Sequence, residues 1–267
     1  MALPLKAGAV YGLVRELSKT KDRPLLVLGA LAEQLARELA AGGDAATVRT
    51  SGPPKDVEAL VYILGGAVTD EDERVLKQAH RARVPIVAVA AGREAPERIP
   101  FVLATDVVRA EPGHGFPVEA IARTLAHKLG EDGTSLARHL PALRSAVCAA
   151  LIESFARKNA LVAAAVFIPG VDFPVLTLNQ LRLVLRICAA YGLEVDNQRV
   201  PEIVATVAAG LGFRTVAREL LGAVPVAGWL LKGTIAYAGT KAVGEAAVRY
   251  CEARVRPRPG ATSGVSS

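Results

Sequence analysis

The chain has 267 residues, 51% of them hydrophobic but only 4% aromatic, and a mean hydropathy of +0.31. That length holds two packed units whose cores rest on Ala, Val, Leu and Gly instead of rings. The formal charge of +6 is uneven: residues 1–150 carry 19 basic and 18 acidic side chains, residues 151–267 carry 13 and 8. No dense Lys/Arg run, zinc-finger spacing or aromatic–glycine pattern supports nucleic-acid binding. Cys148, Cys188 and Cys251 are odd in number and far apart, which argues against a disulfide framework or zinc site.

The N-terminus lacks the basic, apolar and small-residue succession of a secretory signal. Residues Ala7–Leu17 have the pattern of a short amphipathic helix, expected to pack on the first domain. Arg23–Gly29 then reads as a buried strand meeting a glycine, and Leu31–Ala41 as a helix stopped by Gly42-Gly43. Ala46–Thr50 is a short second strand, Val57–Leu64 a strongly apolar third. The next helix starts at Thr69, where Asp72 has capping-box-like spacing, and runs to about Arg81. Val84–Ala90 and Phe101–Val108 are the fourth and fifth strands, and Pro117–Leu129 is a helix closing on Gly130. Strands alternating with helices of about 10–15 residues predict βαβ units in a mostly parallel, doubly wound sheet.

Beyond this the chain turns helical and apolar. Leu136–Lys158 is a predicted connecting helix with Pro141 near its first turn. Residues 160–171 carry no charge, a run whose length favours a buried helix or a re-entrant segment over a membrane span. Pro169, Gly170 and Pro174 prevent one continuous helix there. Leu176–Tyr191 follows as a helix whose polar residues are Asn179, Gln180, Arg182 and Arg186. Asn179, Arg182 and Arg186, three and four apart, share one face. The two arginines are expected in structural pairs, with Asp172 a candidate partner, or facing lipid headgroups. Val200–Leu221 is another apolar helix with a narrow polar stripe. Gly222–Gly228, with Pro225, repeats the earlier turn. Trp229–Tyr250 is the last helix, with a small-residue ridge of Ala236, Thr240 and Gly244 that permits close approach. Leu220–Gly239 is the best membrane-length segment, with one charge at Lys232. The predicted division is 1–133 for the sheet domain, 134–252 for an all-α hydrophobic domain, and 253–267 for a disordered tail.

The chemistry-bearing patterns are weak. A phosphate loop needs G-x-x-x-x-G-K-[ST]. Counted from Gly29, its last three positions hold Gln34, Leu35 and Ala36, so no cradle, charge or metal-holding hydroxyl is in place. Gly65-Gly66 suits a tight strand-to-helix turn. The acidic run Asp70–Glu73 suits a helix start. His80, His114, His127 and His139 have no metal-ligand spacing, and neither Ser51 nor Ser135 sits in a nucleophile elbow. No catalytic residue, metal or cofactor is expected.

The stretches Ile168–Asp172, Leu176–Arg182 and Ala189–Gly192, with Leu221–Trp229 and Ala236–Gly239, resemble a bacterial family of unknown function, number 697. The resemblance covers about residues 145–252. That family's domain follows Era-like GTPase domains and occurs in YcjF-like inner-membrane proteins. The resemblance therefore implies that residues 23–130 are a degenerate GTPase-like domain. Its guanine-reading motif would follow Val84–Ala90, where the chain has Ala91-Gly92-Arg93-Glu94. It also makes Pro169, Gly170, Asp172, Pro174, Asn179, Gln180, Arg182, Arg186, Pro225, Gly228 and Trp229 residues of turns and helix docking.

The expected function is a non-catalytic adaptor on the cytoplasmic side, membrane-associated and not secreted. Its expected partners are the cytoplasmic membrane, a GTPase, or a second copy through helices 176–191 and 229–250. A soluble oligomeric interaction protein is one alternative. An unorthodox nucleotide sensor or enzyme near Gly29, Gly65 and Gly92 is the other, since open α/β sheets bind ligands at that edge.

Overall fold

The computed structural model describes residues 7–18, 22–92, 96, 98–111, 113–165, 173–196, 199–210 and 229–255. A five-stranded sheet comes first: β1 (Leu25–Gly29), β2 (Val48–Arg49), β3 (Ala59–Leu64), β4 (Ile86–Ala90) and β5 (Val107–Arg109). The order is β2-β1-β3-β4-β5 and every neighbouring pair is parallel. Register is fixed across the middle, with Leu26 beside Leu60 and Leu60 beside Ile86.

All six positions of β3 and all five of β4 are buried, because helices cover both faces of such a sheet. Leu26, Leu60, Tyr62 and Ala88 meet α3 (Asp70–Arg81) through Leu76 and Ala79. Val27, Val61, Ile63 and Val89 meet α2 (Ala32–Leu39) and α4 (Val118–Leu129) through Leu35, Leu39, Ile121 and Leu125. The predicted capping box forms: Asp72 N–H donates to Thr69 Oγ1 at 3.2 Å while Thr69 N–H donates to Asp72 Oδ2 at 2.8 Å. Tyr62 Oη also donates to Asp72 Oδ1 at 2.6 Å, tying α3 to the central strand. The fifth strand is shorter than expected, because a 3-10 turn at Ala104–Asp106 takes up residues read as strand.

The helical part comprises α5 (Gly133–His139), α6 (Pro141–Ala165), α7 (Phe173–Ala190), α8 (Val200–Gly210) and α9 (Trp229–Val255). The expected single helix over 136–158 is in fact two. Leu140 stands between them in an extended conformation (φ −116°, ψ 95°), as a residue before proline prefers. Pro141 then opens α6, where its missing N–H costs nothing. The last helix is longer than predicted and takes in Arg254, whose Nη2 lies 2.8 Å from Glu202 Oε1 on α8. Residues 211–228, with Pro225 and Gly228, and residues 166–172, with Pro169, Gly170 and Asp172, lie outside the described residues. The second half of the predicted helix 200–221 and the first part of Leu220–Gly239 fall there too.

α9 packs along α6. The small-residue ridge is the contact: Gly244 faces Ile152 so closely that an added Cβ would stand 2.5 Å from Ile152 Cγ1. At the other end a Cβ on Gly233 would stand 3.2 Å from the Ala160 carbonyl oxygen. Gly244→Val should therefore push the two helices apart. A loss of about 1–3 kcal/mol in a urea titration is expected, as for overpacked cores; an unchanged midpoint would contradict the close approach.

The helices and the sheet share one core. The residues that cover one sheet face continue without a break into Leu143, Val147 and Leu151 of α6, Ile187 of α7 and Ala247 of α9. The amphipathic helix α1 (Ala7–Ser18) forms as predicted, but it does not pack on the sheet. Leu13 and Val14 bury against Leu181 and Leu185 of α7 and Val200 of α8.

Candidate functional site

The densest polar constellation lies where α1, the turn after α4, α6 and α7 meet. Gly130, with φ +56°, ends α4 and starts a 3-10 turn. That turn projects Glu131 toward α6 and α7. Its Oε1 accepts from Lys158 Nζ at 2.8 Å. Its Oε2 lies 2.8 Å from Arg186 Nε and 3.8 Å from Arg182 Nε, ion pairs by distance but not aligned N–H bonds. Its backbone carbonyl accepts from Arg186 Nη1 at 3.0 Å and from Thr134 Oγ1 at 2.8 Å. Glu16 of α1 completes the group, accepting from Arg182 Nη2 and, at 3.2 Å, from Arg186 Nη2.

Arg186 is buried among these partners and Glu131 is half-buried. Burial disfavours the Glu131 carboxylate. The Lys158 ammonium, then Arg186 and Arg182, outweigh it and hold the carboxyl below the usual range. Arginine suits this place because its fork reaches two carboxylates and a carbonyl at once without losing its charge.

One helical turn away lies a neutral seam. Asn159 of α6 is 0% exposed. Its Oδ1 accepts from Asn179 Nδ2 of α7 at 2.8 Å, and its Nδ2 donates to Thr240 Oγ1 of α9 at 2.9 Å. Thr240 Oγ1 in turn donates to the Ala236 carbonyl at 2.7 Å. One amide thus joins three helices and fixes their axial register. At the surface Glu153 joins two of them again, accepting from Arg157 Nε and Tyr237 Oη, both at 2.7 Å.

The stripe predicted on α7 is therefore real, and it points inward. Asn179, Arg182 and Arg186 each find partners on other elements, while Gln180 is half-buried and not a member of the seam. Pro174 is the second residue of α7 and Trp229 the first of α9. The partners of the arginines, Glu131 and Glu16, were missed, and so was Lys158, which shares Glu131 with them. So was Asn159. A lone amide at the edge of an uncharged helical run was the available signal for it, since such a group must find a partner when buried.

The C-terminal edge of the sheet was the other candidate. The order β2-β1-β3-β4-β5 reverses between β1 and β3, the place where ligands bind in open sheets. Here backbone fills it. A Cβ on Gly29, at φ +95°, would stand 2.1 Å from the Ile63 carbonyl oxygen, and one on Gly92 2.4 Å from the Gly65 oxygen. The Ala30 N–H donates to Ile63 O at 3.0 Å and the Ala91 N–H to Leu64 O at 2.8 Å. These glycines let strand ends close on one another. Leu35, at the position of a phosphate-loop lysine, is wholly buried in the core. Among the described residues no three His, Cys, Asp or Glu side chains are grouped to hold a metal. His114 pairs with Glu111 at 3.9 Å, and His139 Nε2 lies 3.6 Å from Asp22.

Residues 127–262 match a family described as Domain of unknown function (DUF697). No curated protein and no solved structure gives a significant match.

Proposed function

The chain belongs to the DUF697 family, and from that premise we propose that it is a non-catalytic adaptor that docks through its helical domain on the surface of an anionic membrane. The observation that carries this reading is the inward-facing charge cluster. Glu131, Lys158, Arg182 and Arg186 serve to clamp α6 and α7 to α1 and to the end of α4. They work as a frame, and a rigid frame between a sheet head and a helical domain suits a protein that holds two things together.

The membrane component rests on the surface of α6 and α7. Leu161 is 72% exposed and Val175 48%. Arg157, one turn before Leu161, is exposed as well, although it shares its charge with Glu153. Apolar side chains beside exposed cations favour anionic headgroups. Among the described residues no helix is long and apolar enough to cross a membrane, and the docking proposed is peripheral. Self-association is the weaker reading, because the ridge on α9 is already occupied by α6 of the same chain.

Flotation with phosphatidylserine-containing vesicles tests this. Binding is expected at low salt, weaker at high salt and weaker for Leu161→Glu, with no heat on titration with GTP or ATP. Protein left wholly unbound by anionic vesicles at low salt would refute the membrane docking, and nucleotide binding would refute the non-catalytic head.

A further inference from the structure

The three cysteines, distant in sequence, converge in the core. Cys148 of α6, Cys188 of α7 and Cys251 of α9 are all free and buried. Cys251 Sγ donates to Cys188 Sγ at 3.5 Å across 63 residues of chain. A free buried cysteine commonly serves as a small hydrophobe. Two in contact on separate helices can do something alanine cannot. We propose that Cys188 and Cys251 are a disulfide-forming site, closed by hydroperoxides, that staples α9 to α7.

Geometry supports the pairing. A disulfide needs the sulfurs about 2.05 Å apart, so they must approach by about 1.5 Å. Both residues sit close to helix ends: Cys188 two before Ala190, and Cys251 four before Val255. A groove of about 270 Å3, lined by Leu193, Arg199, Ile203, Tyr250 and Arg254, lies against that end of α9. The sulfur partner and burial push the Cys251 thiol up, and burial pushes Cys148 up to about 12. Cys251 and Cys148 are therefore held as thiols while the helix end is closed. Fraying of the last turns of α9 admits the oxidant, because helix ends open at low cost.

The chemistry balances. Cys251 loses its proton to water and its sulfur attacks one oxygen of hydrogen peroxide. The O–O bond breaks, and hydroxide takes a proton and leaves as water, giving the sulfenic acid. The Cys188 sulfur then attacks that sulfur. The S–O bond breaks, and the departing hydroxide takes the Cys188 proton. Two thiols and one peroxide become one disulfide and two waters; the sulfurs supply the two electrons that reduce the peroxide.

The test uses the full chain, reduced and then treated with hydrogen peroxide under native conditions, followed by peptide mapping. A cross-link between the Cys188 and Cys251 peptides is expected, reversible by dithiothreitol, with Cys148 left as a thiol. The melting temperature should rise by about 5–10 °C, because closing this loop constrains the unfolded chain. Cys148→Ser should keep the cross-link and Cys251→Ser should lose it. A cross-link through Cys148, or three free thiols after peroxide has oxidised an exposed control thiol, would overturn the proposal. Mapping of the unaltered chain decides it even where a substituted chain does not fold.

Discussion

Replacing Asn159 by aspartate should destabilise the fold by about 3–5 kcal/mol at pH 7, the cost of a buried charge without a partner. The two side chains have nearly the same shape, so volume is not the cause. Asn159 is wholly buried, and its amide nitrogen donates to Thr240 Oγ1. A carboxylate there cannot donate. Thr240 would have to turn its proton from the Ala236 carbonyl, where it now points, and leave that carbonyl without it.

The penalty depends on pH with a definite sign. Burial raises an aspartate's pKa in the folded state above its unfolded value of about 3.9. The folded chain then binds more protons than the unfolded one, so stability falls as pH rises from about 4. The variant should approach the parent below that pH and fall away above it. Urea titrations at pH 4 and pH 7 check this. A loss under about 1 kcal/mol at pH 7 would mean that the seam is less enclosed than its geometry states.

Glu131→Gln should cost less, about 2 kcal/mol, because Glu16 and the residue-131 carbonyl still hold Arg186. Its pH dependence comes from the parent chain and not from the variant. Lys158, Arg186 and Arg182 hold the Glu131 carboxyl below its ordinary range against the effect of burial. Its contribution is present above an unfolded carboxylate pKa of about 4.3 and is lost as pH falls. The gap between parent and Glu131→Gln should thus narrow on acidification, where the gap for Asn159→Asp also closes but from the variant's side: there the variant recovers, and here the parent declines. Equal gaps at pH 7 and pH 3 for Glu131→Gln would rule out the ionised hub.

Both sites show where sequence patterns inform and where they stop. The strands were legible because a sheet covered on two faces demands continuous apolar runs, as in Ala59–Leu64. The start of α3 was legible because Thr69 and Asp72 interact across one turn. The face shared by Asn179, Arg182 and Arg186 follows from helical spacing alone. What that face meets does not. Glu16 lies 166 residues before Arg182, and Asn159 lies 81 before Thr240. Periodicity gives a direction on a helix but no address across the fold. The same limit explains α1, whose amphipathic pattern was plain while its docking on α7 was not. Pro141 was misread for a local reason: its effect on the preceding residue interrupts the helix, so it marks a boundary between two helices.

The core that runs unbroken from the sheet into the helices bears on how such a module could be inherited. The family match begins at residue 127, two residues before the end of α4 at Leu129. Ile121, Ala122, Leu125 and Ala126 of that helix lie upstream of the match and belong to the core beneath α6. A lineage that moved residues 127–262 onto another head would carry Glu131 and its arginines intact but leave part of its own floor behind. The recipient would have to supply an apolar helix in the place of α4, so the grafting of this domain is selective about what comes before it.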